Sequence, residues 1–369
     1  MAISEQMQLA LEESRSALGW SSPNPAVGAV VVHDGEIVGI GRTQLPGGDH
    51  AEVVALRMAG DRARGAVVFV TLEPCSHEGS TAACTAALIG AGVSAVKYSI
   101  ADPDPNVNGA GQLSLEAAGI IVEVGDGADE VAEQLEGYLH QRRTGRPFVI
   151  VKYAASLDGR IAASSGDSRW VSGPETLNWV HEKRAGLDAI VIGSGTIVID
   201  DPELTARPGE STEGVHQPLR VVADSRGRMS ESSRVLTGPA KTLIATTEIS
   251  SREWRKGMVE AGAEVLVLPS YAGRVDLDAL IQSLGARGAL TVLFEGGGVL
   301  LGTLFDRRLV DRVQAIIAPI VIGAAEAPAA VSGRGVTLMA QVPRLKDLTV
   351  TRLGDDTLFS GLLVWPSEE

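Results

Sequence analysis

Small and apolar side chains recur at helical spacing at Met7, Ala10, Leu11, Ser14 and Leu18, which predicts a first helix with that face turned inward. Two β-rich runs, residues 26–32 and 36–42, flank His33-Asp34-Gly35, and an Asp-Gly step between such runs predicts a hairpin. Residues 50–59 then read as a helix, 66–72 as a buried strand, 81–89 as a helix and 95–100 as a strand. A short helix near Leu115, a strand at 120–124 and a helix from Asp129 to about Gln141 complete the pattern. Strands that alternate with helices predict a layered α/β domain.

Residues 142–147 are polar and contain Gly145 and Pro147, so they predict a linker between domains at 1–145 and 146–369. The second half resumes the alternation. Its predicted strands are residues 148–153, 189–192, 219–223, 242–245, 264–268, 291–294 and 312–318, with a closing strand at 358–365. At 369 residues, and roughly 150 residues per domain, two domains also fit the length.

Composition narrows the class. Hydrophobic residues at 44% and charged residues at 21% describe an ordinary globular protein, and 4% aromatics leave the core to Val, Leu, Ile and Ala. The net charge of −14 would repel a polyanion, and no basic face interleaved with aromatics occurs, so no nucleic-acid partner is expected. A small phosphorylated ligand remains compatible, because a few arginines and helix N-termini suffice to hold one. No basic-then-apolar leader and no apolar run near the ~20 residues of a membrane span are present, which predicts a cytoplasmic protein without a membrane partner. Two cysteines, Cys75 and Cys84, point to metal or catalysis before a disulfide framework.

The strongest chemical signal is His50-Ala51-Glu52 opening a predicted helix, with Pro74-Cys75 after a predicted strand and Cys84 beyond it. One imidazole and two thiolates suit tetrahedral zinc with an open fourth position, where a bound water becomes acidic near neutral pH. Glu52 stands where a proton carrier is needed and is not itself a ligand, which is the zinc-deaminase pattern. A structural site closed by His77 is the competing reading, but His77 lies cramped against Cys75. His33, His140, His181 and His216 show no ligand spacing.

Pro23-Asn24-Pro25-Ala26-Val27-Gly28, His50-Ala51-Glu52 and Thr71-Leu72-Glu73-Pro74-Cys75-Ser76-His77 together resemble the bifunctional deaminase/reductase family of riboflavin biosynthesis. The gap of residues 76–83 between the cysteines fits that family better than nucleic-acid or cytidine deaminases, where it is commonly two. The resemblance implies a cytidine-deaminase-like α/β/α domain, with His50, Cys75 and Cys84 as zinc ligands, Glu52 as proton shuttle and Asn24 as a substrate contact. Two places depart from the family pattern. Ser80-Thr81-Ala82-Ala83 precedes the second cysteine where Arg-Thr-Pro-Pro is usual, and Ala110 stands where a basic residue is usual. Both remove positive charge that could hold a substrate phosphate.

After the linker, Lys152-Tyr153-Ala154-Ala155-Ser156-Leu157-Asp158-Gly159-Arg160 resembles the start of the family's reductase half, whose fold is like dihydrofolate reductase. Ser168-Arg169-Trp170, Gly193-Ser194-Gly195-Thr196, Asp200-Asp201-Pro202, Leu204-Thr205-Ala206-Arg207 and Phe294-Glu295-Gly296-Gly297-Gly298 follow in the family's order. The resemblance implies NADPH contacts at Ala154, Trp170, Thr196, Asp200, Gly297, Gly298, Val299, Leu300, Leu301, Gly302 and Thr303. It implies substrate contacts at Ser168, Arg184, Leu204, Arg207 and Glu295. Arginines suit a phosphate through bidentate donors. Ser225, Arg226 and Arg228 could meet the cofactor's extra phosphate, and Lys152 and Asp200 are candidates for the reductase proton donor.

The expected function is thus zinc-dependent removal of an amino group from a diamino-ribosylamino-pyrimidinone phosphate, then NADPH-dependent reduction of its ribosyl chain to ribityl, in a homo-oligomer. The rival expectation keeps the reductase and makes the first domain a deaminase for another aminopyrimidine, or a structural zinc module.

Overall fold

The computed structural model describes residues 3–77 and 82–366, so the departure at Ser80 and Thr81 lies outside the described residues. The chain divides into two compact units, residues 1–146 and 147–369.

In the first unit, α1 (Glu5–Arg15) starts at Ser4, whose hydroxyl accepts the Met7 N–H as an N-cap. The hairpin is β1 (Gly28–His33) and β2 (Glu36–Arg42). Then come α2 (Ala51–Ala59), β3 (Val67–Leu72), α3 (Cys84–Ala91), β4 (Ala95–Ile100), α4 (Ala110–Ala117) and β5 (Ile121–Val124). The sheet has five strands in the order β2-β1-β3-β4-β5. Its hairpin side is antiparallel, and β3, β4 and β5 run parallel. Met7, Ala10, Val30 and Phe69 join helix to sheet in a buried cluster.

The helix predicted from Asp129 is two, α5 (Ala128–Gln134) and α6 (Glu136–Thr144). The break falls at Leu135, whose backbone at φ −91, ψ 11 leaves the helical region while its side chain stays buried. Arg142 and Arg143, read as linker, form the last turn of α6, and Gly145 ends it in the left-handed conformation at φ 76. Only residues 145–147 separate α6 from the next strand.

The second unit begins with β6 (Phe148–Ser156), α7 (Pro174–Ala185), β7 (Ala189–Gly193), α8 (Ser194–Asp200), β8 (Leu219–Ala223) and β9 (Thr242–Thr246). It continues with α9 (Arg252–Glu260), β10 (Glu264–Val267), the small hairpin β11 (Ser270–Tyr271) and β12 (Arg274–Val275), and α10 (Leu277–Ala286). Last are β13 (Thr291–Glu295), α11 (Gly298–Asp306), β14 (Arg312–Ala318), β15 (Arg344–Leu353) and β16 (Asp356–Val364). Nine strands form one sheet in the order β10-β9-β8-β7-β13-β6-β14-β16-β15. It is parallel through β14 and antiparallel at β16 and β15. Val149, Val151, Val191, Val292 and Phe294 lie wholly buried in its core. The central strands therefore read as unbroken apolar runs, whereas β15 is an exposed edge whose mixed polar sequence predicts nothing.

Candidate active sites in the two units

Two glycines seat α2. A Cβ on Gly39 would lie 2.1 Å from the Ala55 carbonyl oxygen, and one on Gly41 would lie 2.4 Å from that of Ala51. The bare strand β2 lets α2 approach, and α2 carries His50 at its N-cap and Glu52 in its first turn. β3 delivers Cys75 just past its end, and Cys84 is the first residue of α3.

One ligand atom from each of His50, Cys75 and Cys84 lies within 4.8 Å of the others. His50 Nδ1 is 3.2 Å from Cys84 Sγ and 3.6 Å from Cys75 Sγ, and the Cys84 amide donates to Cys75 Sγ at 3.4 Å. One nitrogen and two sulfurs at this spacing fit zinc. Hydrogen bonds from Cys84 lower the Cys75 thiol to about 4, with His50 adding to the effect, so a thiolate stands ready. Glu52 is 4% exposed, and burial, with Cys75 nearby, raises its carboxyl to about 6. It reaches hydrogen-bond contact with Cys84. A carboxylate so placed and so poised can carry protons near neutral pH.

Glu73 escaped the sequence reading. Its Oε2 accepts the amides of Asp102 and Gly109 at 3.3 and 3.1 Å, and its Oε1 accepts those of Gly111 and Gln112 at 3.0 and 3.3 Å. It thereby ties the loop before α4 and the first turn of α4, which bears Ala110, to the segment that leads into Cys75. A Cβ on Gly111 would sit 2.0 Å from the Pro74 carbonyl oxygen, so the first turn of α4 packs directly on that segment. Asn24 lies in a turn, its amide donating to the Ser21 carbonyl at 2.8 Å. His77 is exposed.

The second unit holds a cavity of about 920 Å³ at the C-terminal ends of β6, β7, β8 and β13. Ligands bind there in open α/β sheets. Its wall includes Ala154, Thr196, Asp200, Gly297, Gly298, Val299, Leu300 and Thr303 from the expected cofactor set, and Ser168, Arg184, Leu204 and Glu295 from the expected substrate set. Lys152, Ser225, Arg226 and Arg228 also line it. The N-terminus of α11, beginning at Gly298, opens onto this wall, as a pyrophosphate site requires.

Four of the expected contacts lie off this wall. Leu301 is wholly buried in the core and does not line the cavity. Gly302 packs on the chain at 332–333, where a Cβ would lie 2.3 Å from the Gly333 nitrogen. Trp170 is 72% exposed and Arg207 faces Glu203 and Thr205 rather than the wall. Gly298 serves packing as well, since its Cβ would lie 2.2 Å from the Ala329 carbonyl oxygen.

Glu295 and Arg184 are engaged with each other. Glu295 Oε1 receives Arg184 Nε and Nη2 at 2.9 and 2.7 Å, and Oε2 receives Lys152 Nζ at 2.8 Å. Burial would raise the Glu295 carboxyl, but the two cations reverse this and hold it at about 2. The fork expected to grip a phosphate thus grips a carboxylate, which fixes Lys152 at the wall.

With both sites described, residues 147–359 match the model for the RibD C-terminal domain, and residues 2–100 match that for the cytidine and deoxycytidylate deaminase zinc-binding region. The riboflavin biosynthesis protein RibD of Escherichia coli is 39% identical, over 95% of this chain and 96% of the relative. The chain belongs to the RibD family. RibD of Mycobacterium tuberculosis is 40% identical over 97% of both chains. Among solved structures, Acinetobacter baumannii RibD superposes with a TM-score of 0.85 at 35% identity, covering 98% of both chains. A Thermotoga maritima diaminohydroxyphosphoribosylaminopyrimidine deaminase/5-amino-6-(5-phosphoribosylamino)uracil reductase gives 0.83 at 30% identity, covering 97% of both. The RibD-family chain is therefore a bifunctional enzyme of riboflavin biosynthesis, with a zinc-dependent deaminase unit and an NADPH-dependent reductase unit. The zinc-module rival is set aside by these matches. Among the described residues no helix is long and apolar enough to cross a membrane.

Proposed function

We propose that the first unit deaminates a diamino-ribosylamino-pyrimidinone phosphate and that the second reduces the ribosyl chain of its product to ribityl. Glu52, a buried carboxylate beside His50, Cys75 and Cys84, carries this reading. Zinc, when bound by these three side chains, makes water acidic enough to act as a nucleophile at neutral pH. Glu52 accepts the proton of the attacking water and returns it to the ring amino nitrogen, which leaves as ammonia while the ring carbon gains oxygen. Its raised pKa, about 6, suits both halves of that transfer. Glu73 keeps the first turn of α4, which carries Ala110, fixed on the Pro74 segment, and Asn24 contacts the pyrimidine.

In the second unit NADPH supplies hydride, and the chain positions both partners. The N-terminus of α11 receives the pyrophosphate, and Ala154, Thr196 and Asp200 line the cofactor side. Ser225, Arg226 and Arg228 face the extra phosphate. Ser168 and Leu204 line the substrate side, with Arg207 on the same loop. Lys152, held by Glu295, donates the proton that accompanies hydride. The net charge of −14 supports a small phosphorylated partner over a nucleic acid, and homo-oligomerisation completes the reading.

Glu52→Gln tests it. Ammonia release from the pathway pyrimidine should fall by about 10²–10⁴-fold while zinc stays stoichiometric and NADPH oxidation with the deaminated product is unchanged. Undiminished ammonia release would remove Glu52 from the reaction.

A further inference from the structure

Among the described residues, Arg220 in β8 is the bulkiest side chain sealed from solvent, at 1% exposure. Its guanidinium donates to three backbone carbonyls: Glu203 at 3.0 Å, Thr237 at 2.7 Å and Ala240 at 2.5 Å. Its Nε finds no partner among the described residues. A cation buried on carbonyl dipoles is costly to the fold, and an apolar side chain would pack the same space at less cost. Its retention calls for what it holds.

It holds the loop at residues 201–207, just past α8. Asp201 and Leu204 there adopt left-handed backbone, at φ 41 and φ 54, a conformation that L side chains rarely take. Such residues keep their shape only where the surroundings over-determine it. Glu203, between them, is fixed at both ends. Arg220 takes its carbonyl, while its carboxylate sits between Arg207, at 3.2 Å, and Arg234. The Arg234 amide also donates to Asp201 Oδ1 at 2.9 Å. The side chains thus presented, Pro202 and Leu204, line the cavity.

We propose that Arg220, seconded by Arg234, is a positioning residue for the reductase reaction, which presets the 201–207 loop as the substrate-facing wall. This rests on the reading above that Leu204 belongs to the substrate side. Arg220 touches neither reactant and acts through the Glu203 carbonyl. Its loss therefore weakens substrate binding more than it slows turnover at saturation.

The test uses the full-length zinc-loaded chain with Arg220→Lys and, separately, Arg234→Ala. Arg234 is half exposed, so its removal spares the core. Arg220→Lys should raise the KM for the deaminated pyrimidine about tenfold, with kcat within about threefold and the NADPH Kd unchanged. Arg234→Ala should shift the same KM in the same direction by about threefold. The unfolding transition of the reductase unit, followed through its tryptophans, reports whether each variant is intact. An unchanged KM in both variants, or a loss confined to kcat, overturns the proposal. A raised NADPH Kd with unchanged substrate KM overturns it differently: the loop is then set for the cofactor, and the assignment of Leu204 to the substrate side fails with it. Should Arg220→Lys lose the cooperative unfolding of its unit, Arg234→Ala alone decides.

Discussion

Glu52 and Glu295 are both buried carboxylates, and their neighbours drive them apart. Burial beside a cysteine thiolate raises Glu52 to about 6, whereas Arg184 and Lys152 hold Glu295 at about 2. The depressed group has a consequence for acid stability. Its folded pKa lies below its ordinary value of 4.5, so its contribution is complete above pH 4.5 and fades as pH falls from there through about 2. Unfolding of the reductase unit, followed through Trp170, Trp179, Trp254 and Trp365, should become easier across that window. Glu295→Gln should flatten the acid slope and cost about 3 kcal/mol at pH 7, because Lys152 and Arg184 would face no anion. Equal slopes in the two proteins would contradict the ion-pair account. The zinc ligands were legible in the sequence because each stands in a short motif at an element boundary. The Glu295 clamp was not, since Lys152, Arg184 and Glu295 come from three separate elements and meet only in the folded sheet. Glu73 was hidden for another reason: all four of its partners are backbone amides, which carry no residue signature.

At the scale of elements, the hydrophobic pattern located the buried strands, because runs such as residues 149–151 and 189–192 are apolar on both faces. It missed β15, which is mostly exposed and whose register breaks between Lys346 and Thr349. Close approach of helix to strand was also unreadable, though its cause is visible in the glycines of Glu36–Arg42. Alanine at Gly39 would place a methyl 2.1 Å from the Ala55 carbonyl oxygen and push α2 outward. Because α2 carries His50 and Glu52, Gly39→Ala should weaken zinc binding about tenfold or more, as displaced ligand supports do. Competition against a chromophoric chelator measures this, and wild-type affinity would show that α2 absorbs the methyl without moving.

For the molecule as a whole, the order of motifs disclosed two activities because each half carries its own site on its own sheet. Stripping zinc with a chelator should therefore abolish ammonia release and leave NADPH oxidation with the deaminated product within about twofold of its starting rate. Re-added zinc should restore the first activity. Parallel loss of both would mean that the reductase fold depends on the metal. The junction between α6 and β6, only residues 145–147, has a further consequence for the cell. Each round of translation yields one copy of either catalyst, so their dosage is locked at parity. The standing pool of the compound between the two reactions is then governed by relative turnover alone, and no change in expression level can rebalance it.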